Sequence, residues 1–492
     1  MSQAASVSLE PSCVTGAASA GPISSATGFA SARHAQDTPA PLGGWPATLR
    51  DVFIVGRATV LCHLLGAATS LVLRALVDPA MMGIWQGSKL LLSYGNYTNL
   101  GVSKGAIREL TIAAGRGARE EARRGLHVAY TFSTLSSLVY AVALLGAAAW
   151  VEFFGRGAWS RQWAIGLMMI AGLTLVQRFV TFHVTVMRGE AEFGLASRLS
   201  ILEAVLTLVA CGLATWFLGL SGIYLGTCVV LVGSWLYIRA HDRPTLAWCW
   251  DWREAWRLIS IGGPMLMAGS ASSLFRSLDK LMILGYLRDR EYQLGCYSLA
   301  LLAGAQLYGV ANMLSIVMAP RYGGLLGDTG DASQVARLAA RATELQAAVM
   351  APLGGLAMLA CPPVLRWLLP TYAHGLAPLV SIVPGAIMAG LALPASQCLF
   401  TIGASRRVLA ALLCSMAVAL AGNHVALTGG FGIRGVAVAT TVAYGMYFVL
   451  LARLSSWPVL TTLERWRHFG ILAAWLTPLM VAALWLANST VL

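Results

Sequence analysis

Charge is scarce in this chain. Asp, Glu, Lys and Arg make up 11% of its 492 residues, where a soluble domain carries about 25%. The polar surface that a water-soluble core of this size requires is therefore missing. Paired cysteine spacing is missing too. The nine cysteines are scattered from Cys13 to Cys414 without a Cys-x-x-Cys, and they read as small packing residues rather than metal or redox ligands. No His-Glu-x-x-His occurs, and no glycine-rich phosphate loop ends in Lys-Ser or Lys-Thr. That argues against a pump carrying its own nucleotide domain, and no metal site or cofactor is expected. Large apolar residues are sparse in residues 1–48, which are mostly Ala, Ser, Gly, Thr and Pro. Such a segment is expected to be a disordered cytoplasmic tail, and not a secretory signal, since the first apolar span begins after it.

What the chain does have is hydrophobic length. Hydrophobic types supply 57% of the residues. Apolar spans near twenty residues recur thirteen times, at about 52–73, 83–100, 127–150, 163–185, 196–216, 218–238, 256–286, 293–319, 336–368, 372–397, 404–424, 430–452 and 468–486. A hydrocarbon layer about 30 Å thick takes about 20 apolar residues per helix. Backbone groups in lipid are satisfied only by helices or closed barrels. These spans are too long and too continuous for barrel strands, which are short and alternate. The expected fold class is an all-α polytopic membrane protein, with its function in a transport path or a membrane-facing site.

Charge then orients the chain. The formal charge of +13 comes mostly from arginine, and it serves membrane topology rather than nucleic-acid binding. With the N-terminal tail in the cytoplasm, the connections and flanks on its face hold twenty Lys and Arg, from Lys104 to Arg467. The opposite face holds only Arg74, Arg156, Arg161, Arg288, Arg290 and Arg434. Positive residues accumulate on the cytoplasmic side, so the N-terminus is expected inside.

The chain also repeats itself weakly. The first span leaves through Leu73-Arg74-Ala75-Leu76-Val77-Asp78-Pro79 into Met82-Gly83-Ile84-Trp85. The seventh leaves through Leu284-Gly285-Tyr286-Leu287-Arg288-Asp289 into Leu294-Gly295-Cys296-Tyr297. Each is a charged break, then a glycine that permits a close crossing, then an aromatic suited to the interface. Six spans separate the copies, so the halves keep the same orientation and form parallel repeats. The expected organisation is an N-terminal lobe over 49–238, a linker over 239–255, a C-terminal lobe over 256–452, and a linker with an additional helix over 453–492.

Charges inside spans are costly and mark cavities or partners. Arg276, Asp279 and Lys280 in the seventh span are spaced by three and four residues, which puts them on one side of a continuous helix. Two readings stay open: one wall of a hydrated, net positive cavity for an anionic substrate, or an internal ion pair near the headgroups. Arg57 lies near the cytoplasmic end of the first span, and Lys89 lies early in the second. Arg178 and Glu203 are candidates to pair across the first half, with Glu203 a candidate for ion coupling. Gln306, Asn312 and Gln397 either line a path or join helices. Pro264, Pro352, Pro384 and Pro394 are expected to kink their helices.

Two stretches carry a family resemblance. Tyr94-Gly95-Asn96-Tyr97-Thr98-Asn99-Leu100-Gly101-Val102-Ser103-Lys104-Gly105-Ala106-Ile107-Arg108-Glu109-Leu110 resembles the end of the second helix and the following loop in bacterial polysaccharide flippases. Leu278-Asp279-Lys280-Leu281-Met282-Ile283-Leu284-Gly285, followed by Leu294-Gly295-Cys296-Tyr297-Ser298, is similar to their passage from the seventh to the eighth helix. The resemblance spans roughly residues 50–452. It implies the multidrug/oligosaccharidyl-lipid/polysaccharide exporter fold, with two six-helix lobes in pseudo-twofold arrangement and, here, an extra C-terminal helix. It further implies translocation of a polyprenyl-diphosphate-linked oligosaccharide across the bacterial inner membrane, for surface polysaccharide synthesis. Its implied partners are membrane lipids, a coupling H+ or Na+, and a polysaccharide polymerase, with no nucleic acid. Arg276 and Lys280, then Arg178, Arg57 and Lys89, are the candidate cations for the diphosphate, and Asp279 a candidate to orient them. The alternatives are a multidrug/cation antiporter on the same fold and a membrane enzyme of polysaccharide assembly. The first favours cavity carboxylates and the second a large catalytic loop, and the chain is poor in both.

Overall fold

The computed structural model describes residues 45–116, 119–155, 157, 159–189, 192–241 and 247–488, so nearly all of the expected tail lies outside the described residues. The described residues form sixteen α-helices: α1 Trp45–Leu76, α2 Pro79–Tyr94, α3 Val102–Arg116, α4 Arg119–Phe154, α5 Ser160–Gly189, α6 Phe193–Leu206, α7 Gly212–Leu218 and α8 Leu220–Ala240 in the first half, then α9 Trp252–Phe275, α10 Leu278–Tyr286, α11 Arg290–Thr329, α12 Ala332–Leu368, α13 Leu376–Thr401, α14 Ser405–Thr428, α15 Gly432–Ser455 and α16 Thr462–Asn488. A π-helical turn, Thr207–Cys211, joins α6 to α7 without ending the rod. Among the described residues, twelve helical segments are long and apolar enough to cross a membrane. The four prolines expected to kink helices all lie inside them: Pro264 in α9, Pro352 in α12, and Pro384 and Pro394 in α13.

The second expected span does not form a single long helix. It breaks after Tyr94 into a 3-10 turn, Gly95–Tyr97, and resumes as α3. Residues 104–124, expected as a basic connection, are therefore helix over 104–116 and 119–124. Partners along α4 show that α2 and α3 still cross together. Tyr140 donates to the Leu91 carbonyl at 2.8 Å, Ser133 meets Ser103 at 2.8 Å, and Leu126 and Ala129 pack with Ala106 and Leu110. The register falls on α4 as it rises on α2 and α3, as in one antiparallel crossing. At the break, Leu100 (φ 49°) and Gly101 (φ 90°) are left-handed. The Asn99 carboxamide holds that turn, accepting from Gly101 N–H at 3.1 Å and donating to Ser103 at 2.9 Å.

Each half has its own packing scheme. In the first, α1 lies on α6, α4 on α5 and α5 on α8. In the second, α13 is the hub, packed by α11, α12 and α15, with α14 on α15. The hub reads as apolar on every side, and accordingly it is the most enclosed of the crossing segments. Helix α16 lies against α12 and α13. A 2.7 Å contact between His468 and Glu344 ties it there.

The halves meet where α2 crosses α11, and the contact is reciprocal. A side chain on Gly83 would overlap the Glu291 carbonyl, and one on Gly295 would overlap the Pro79 carbonyl. Gly83 and Gly295 are the two glycines of the repeated motif, and Pro79 and Glu291 precede them by the same four residues. An isologous contact of this kind is what a twofold axis produces. Around it, Arg74 donates to Ser298 Oγ at 3.0 Å and to the Ser298 carbonyl at 2.8 Å. Tyr372 donates to the Val77 carbonyl at 2.6 Å, and Trp163 to Glu291 at 2.9 Å. These bonds close the far end of the bundle, opposite the start of α1. A second seam runs down α3 and α9. Gly101 lies against Gly262 and Gly105 against the Leu258 carbonyl, and Arg257 pairs with Glu109 at 2.5 Å.

Candidate functional site

The expected seventh helix also breaks, and the break builds the site. Its final turns are rich in serine, and Ser277 Oγ donates back to the Ser273 carbonyl at 2.7 Å, a local bond that competes with the helical ladder. Ser277 itself leaves helical geometry (φ −121°, ψ 2°), so α9 ends at Phe275 and α10 starts at Leu278. The charged trio is consequently not on one face. Arg276, at the break, turns into the second half of the molecule. Asp279 lies in the first turn of α10, where a carboxylate suits the helix dipole. It is 3% exposed and accepts from Tyr297 Oη and from Lys280 N–H, both at 2.8 Å. Its bonds serve α10 and α11, and it lies near enough to Lys280 to feel that charge.

Arg276 lines a cavity of about 240 Å³ between α9, α11, α13, α14 and α15. Its guanidinium donates to Ser272 at 2.7 Å and stands 5.7 Å from the centre of the Tyr308 ring. A cation over an aromatic face gains about 0.5–2 kcal/mol. Phe275, Tyr444 and Tyr447 add a T-shaped aromatic group, with ring centres 5.2 and 5.8 Å from Phe275. Asn312, Ser396 and Gln397 supply amide and hydroxyl groups. Arg276 is the one charged residue of the lining, and no carboxylate joins it. The cavity is thus aromatic on its walls, polar at a few points and cationic at one.

Of the other candidates, Asn312 and Gln397 line this cavity, whereas Gln306, two residues before Tyr308 and on the other side of α11, does not. Lys89 is exposed, and it lies near enough to Lys280 and Arg74 to feel their charges. Lys89 and Lys280 come from opposite halves, so these two bring positive charge to the space between the lobes. Arg178 faces no open space. It is 5% exposed and donates to Ser137 at 2.7 Å, to the Gly95 carbonyl and to Thr98 at 3.4 Å. It holds the break between α2 and α3. Glu203 accepts from Ser234 at 2.9 Å in the first half, and Arg57 is exposed on α1.

Sequence reasoning missed the tyrosines. Tyr308, Tyr444 and Tyr447 sit well inside membrane-crossing helices, away from the interfaces that tyrosine favours. That displacement is a readable signal. Arg74 was counted only for topology, yet it is 4% exposed and joins the two halves.

Known structures share this architecture. An inward-facing multidrug resistance MATE family transporter of the MOP superfamily is 14% identical, with a TM-score of 0.64 over 85% of this chain and 98% of that one. The lipid II flippase MurJ in an inward closed conformation is 13% identical, with a TM-score of 0.63 over 88% and 97%. A MOP superfamily transporter from Pyrococcus furiosus, whose binding pocket is described as reversed in polarity, is 14% identical, with a TM-score of 0.59 over 84% and 95%. At these identities the likeness establishes the two-lobe membrane fold. No curated protein matches the sequence. A profile described as "Polysaccharide biosynthesis protein" matches residues 116–371. The chain therefore belongs to that polysaccharide biosynthesis family, carried on the MOP transporter fold.

Proposed function

We propose that this protein translocates a lipid-linked saccharide with an acidic diphosphate headgroup from the face bearing its N-terminus to the opposite face. The observation that carries this reading is the charge of the site: Arg276 alone among the cavity lining, Lys89 and Lys280 between the lobes, and no carboxylate in the cavity. A diphosphate cannot enter hydrocarbon without a compensating charge, and a guanidinium matches its oxygens with two parallel donors. The saccharide needs a wet path while its lipid tail stays in the bilayer. A cavity of about 240 Å³ holds about eight waters at about 30 Å³ each, enough for an anionic headgroup but not a glycan. The lobes must therefore separate to pass the cargo. Parting the far-end bonds opens one face, and parting the α3–α9 seam opens the other, with substrate or a coupling ion shifting the balance. No bond is made or broken in the substrate.

The residues act by position and field. Arg276, held by Ser272 and steadied by Tyr308, meets phosphate oxygens. Lys89 and Lys280 raise the potential along the approach, and Asn312 and Gln397 offer donors to sugar hydroxyls. The excess of Lys and Arg on the N-terminal face supports a cytoplasmic N-terminus. The aromatic walls also favour a second reading, an antiporter for aromatic drugs, although Arg276 would repel a cationic one.

Proteoliposomes separate the two. Leaflet-resolved movement of a polyprenyl-diphosphate oligosaccharide is expected, without hydrolysis, and a fluorescent cationic drug is expected not to move. Drug transport with no movement of the saccharide lipid would replace the proposal with the antiporter.

A further inference from the structure

The connection between the two halves carries a row of exposed indoles that the proposed transport path does not use. Trp248, Trp250, Trp252 and Trp256 are 67%, 54%, 56% and 61% exposed. Phe132 and Trp250 lie near-parallel with ring centres 6.4 Å apart, Trp250 and Trp252 follow at 6.1 Å, and Trp252 and Trp256 at 6.3 Å. Trp248 stands edge-on to Tyr130. In an aqueous linker, four large apolar side chains in a row would be an aggregation liability.

The backbone beneath them is treated as though water were absent. The segment 247–250 leads to an extended Asp251 and has no regular secondary structure of its own, and such backbone in water would hydrogen-bond to solvent. Here the Ala247 N–H donates to His127 Nδ1 and the Cys249 N–H to Thr131 Oγ, both at 3.0 Å. His127 and Thr131 are one turn apart in α4, within a segment apolar enough to span a membrane. Irregular backbone at membrane depth is tolerated only where protein satisfies it. Asp251 then ends this segment. It caps α9 by accepting from Arg253 and Glu254 N–H, and it pairs with Arg124 at 3.0 Å. The strap is thus fastened to α4 at three points and shows its aromatic side outward.

We infer that Ala247–Trp256 is an interfacial anchor that binds the glycerol and headgroup layer of the bilayer on the N-terminal face. Indoles partition to that layer, with an apolar body toward the acyl chains and an N–H toward the carbonyls. Exposed Arg124 and Arg253 lie beside them, where they complement lipid phosphates. The partner is the lipid surface itself, and the consequence is that the joint between the lobes is held at a fixed depth.

The test uses the full-length protein in vesicles of phosphatidylethanolamine and phosphatidylglycerol. The four tryptophans are a quarter of the sixteen in the chain, so their emission is obtained by difference from W248F/W250F/W252F/W256F. That difference signal is expected to be quenched at least two-fold more by lipids brominated near the carbonyl than by aqueous iodide. Stronger quenching by iodide, the behaviour of a solvated loop, would overturn the inference. So would a difference signal that responds to soluble oligosaccharide and not to brominated lipid, which would make the row a sugar platform. Single Trp→Phe variants give the same readout should the quadruple variant fail to fold.

Discussion

Arg276 concentrates the site in one side chain, and its removal is the sharpest test at the residue scale. Charge-assisted hydrogen bonds contribute about 1.5–3 kcal/mol, so Arg276→Ala is expected to slow translocation of a diphosphate-linked saccharide about 10- to 100-fold. Arg276→Lys keeps the charge but loses the paired donors and the flat stacking face, and is expected to fall between. Transport rates in proteoliposomes check both. Tyr308 acts through its ring. Tyr308→Phe should leave transport within about two-fold and Tyr308→Leu should lower it several-fold, in line with a cation–π gain of about 0.5–2 kcal/mol. Equal loss in both variants would move the effect from the ring to the hydroxyl. Arg276, Asn312 and Gln397 could be read from sequence because polar groups stand out within apolar spans. The single face expected for Arg276, Asp279 and Lys280 is absent for one physical reason: side-chain spacing assumes an unbroken helix, and the helix ends at Phe275 and restarts at Leu278.

Among the elements, the two broken crossings and the glycine crossing decide what the helices can do. Each break puts polar backbone and side chains at membrane depth, and each is held by one: Arg178 at the first, Ser277 at the second. Gly295→Ala forces α2 and α11 apart, since the added carbon would overlap the Pro79 carbonyl. Overpacking of this kind costs about 1–3 kcal/mol, and a lowered thermal midpoint of the detergent-solubilised protein is the expected result. Gly285→Ala, where nothing lies within 4 Å of the added carbon, serves as the unaffected control. Asp331 caps α12 at a helix end and accepts from Ser333 N–H and Oγ at 2.8 Å. Those bonds hold its carboxyl below the ordinary range. A depressed acid stabilises above its unfolded pKa of about 3.9 and loses that contribution as the pH falls through the lower folded value. The protection of the first turn of α12 against hydrogen exchange, relative to the intrinsic rate at each pH, should therefore fall as the pH drops below about 4, and not in Asp331→Asn.

The whole molecule alternates only if its far-end bonds can part. In a cysteine-free background, a reversible thiol cross-linker joining Arg74→Cys to Ser298→Cys should stop transport, and its cleavage should restore the rate of the unlinked variant. Undiminished transport in the linked protein would show that this end stays shut through the cycle. Twelve of the thirteen apolar spans, the two-lobe fold and the repeat were legible because bilayer thickness fixes span length and symmetry repeats a motif. The α3–α9 seam was not, because it depends on which glycines approach a neighbouring backbone, and glycine in sequence does not name its neighbour. Nor was the role of Arg178, whose partners are the Ser137 and Thr98 hydroxyls and the Gly95 carbonyl, on other elements.

The mirrored seat of Gly83 and Gly295 reaches beyond the single chain. Each half presents the other with the same self-complementary surface, so recognition between them is written into the elements and does not depend on the peptide that joins them. Residues 1–241 and 247–492, made as two polypeptides in one cell, should find each other in the bilayer and co-purify as a working pair.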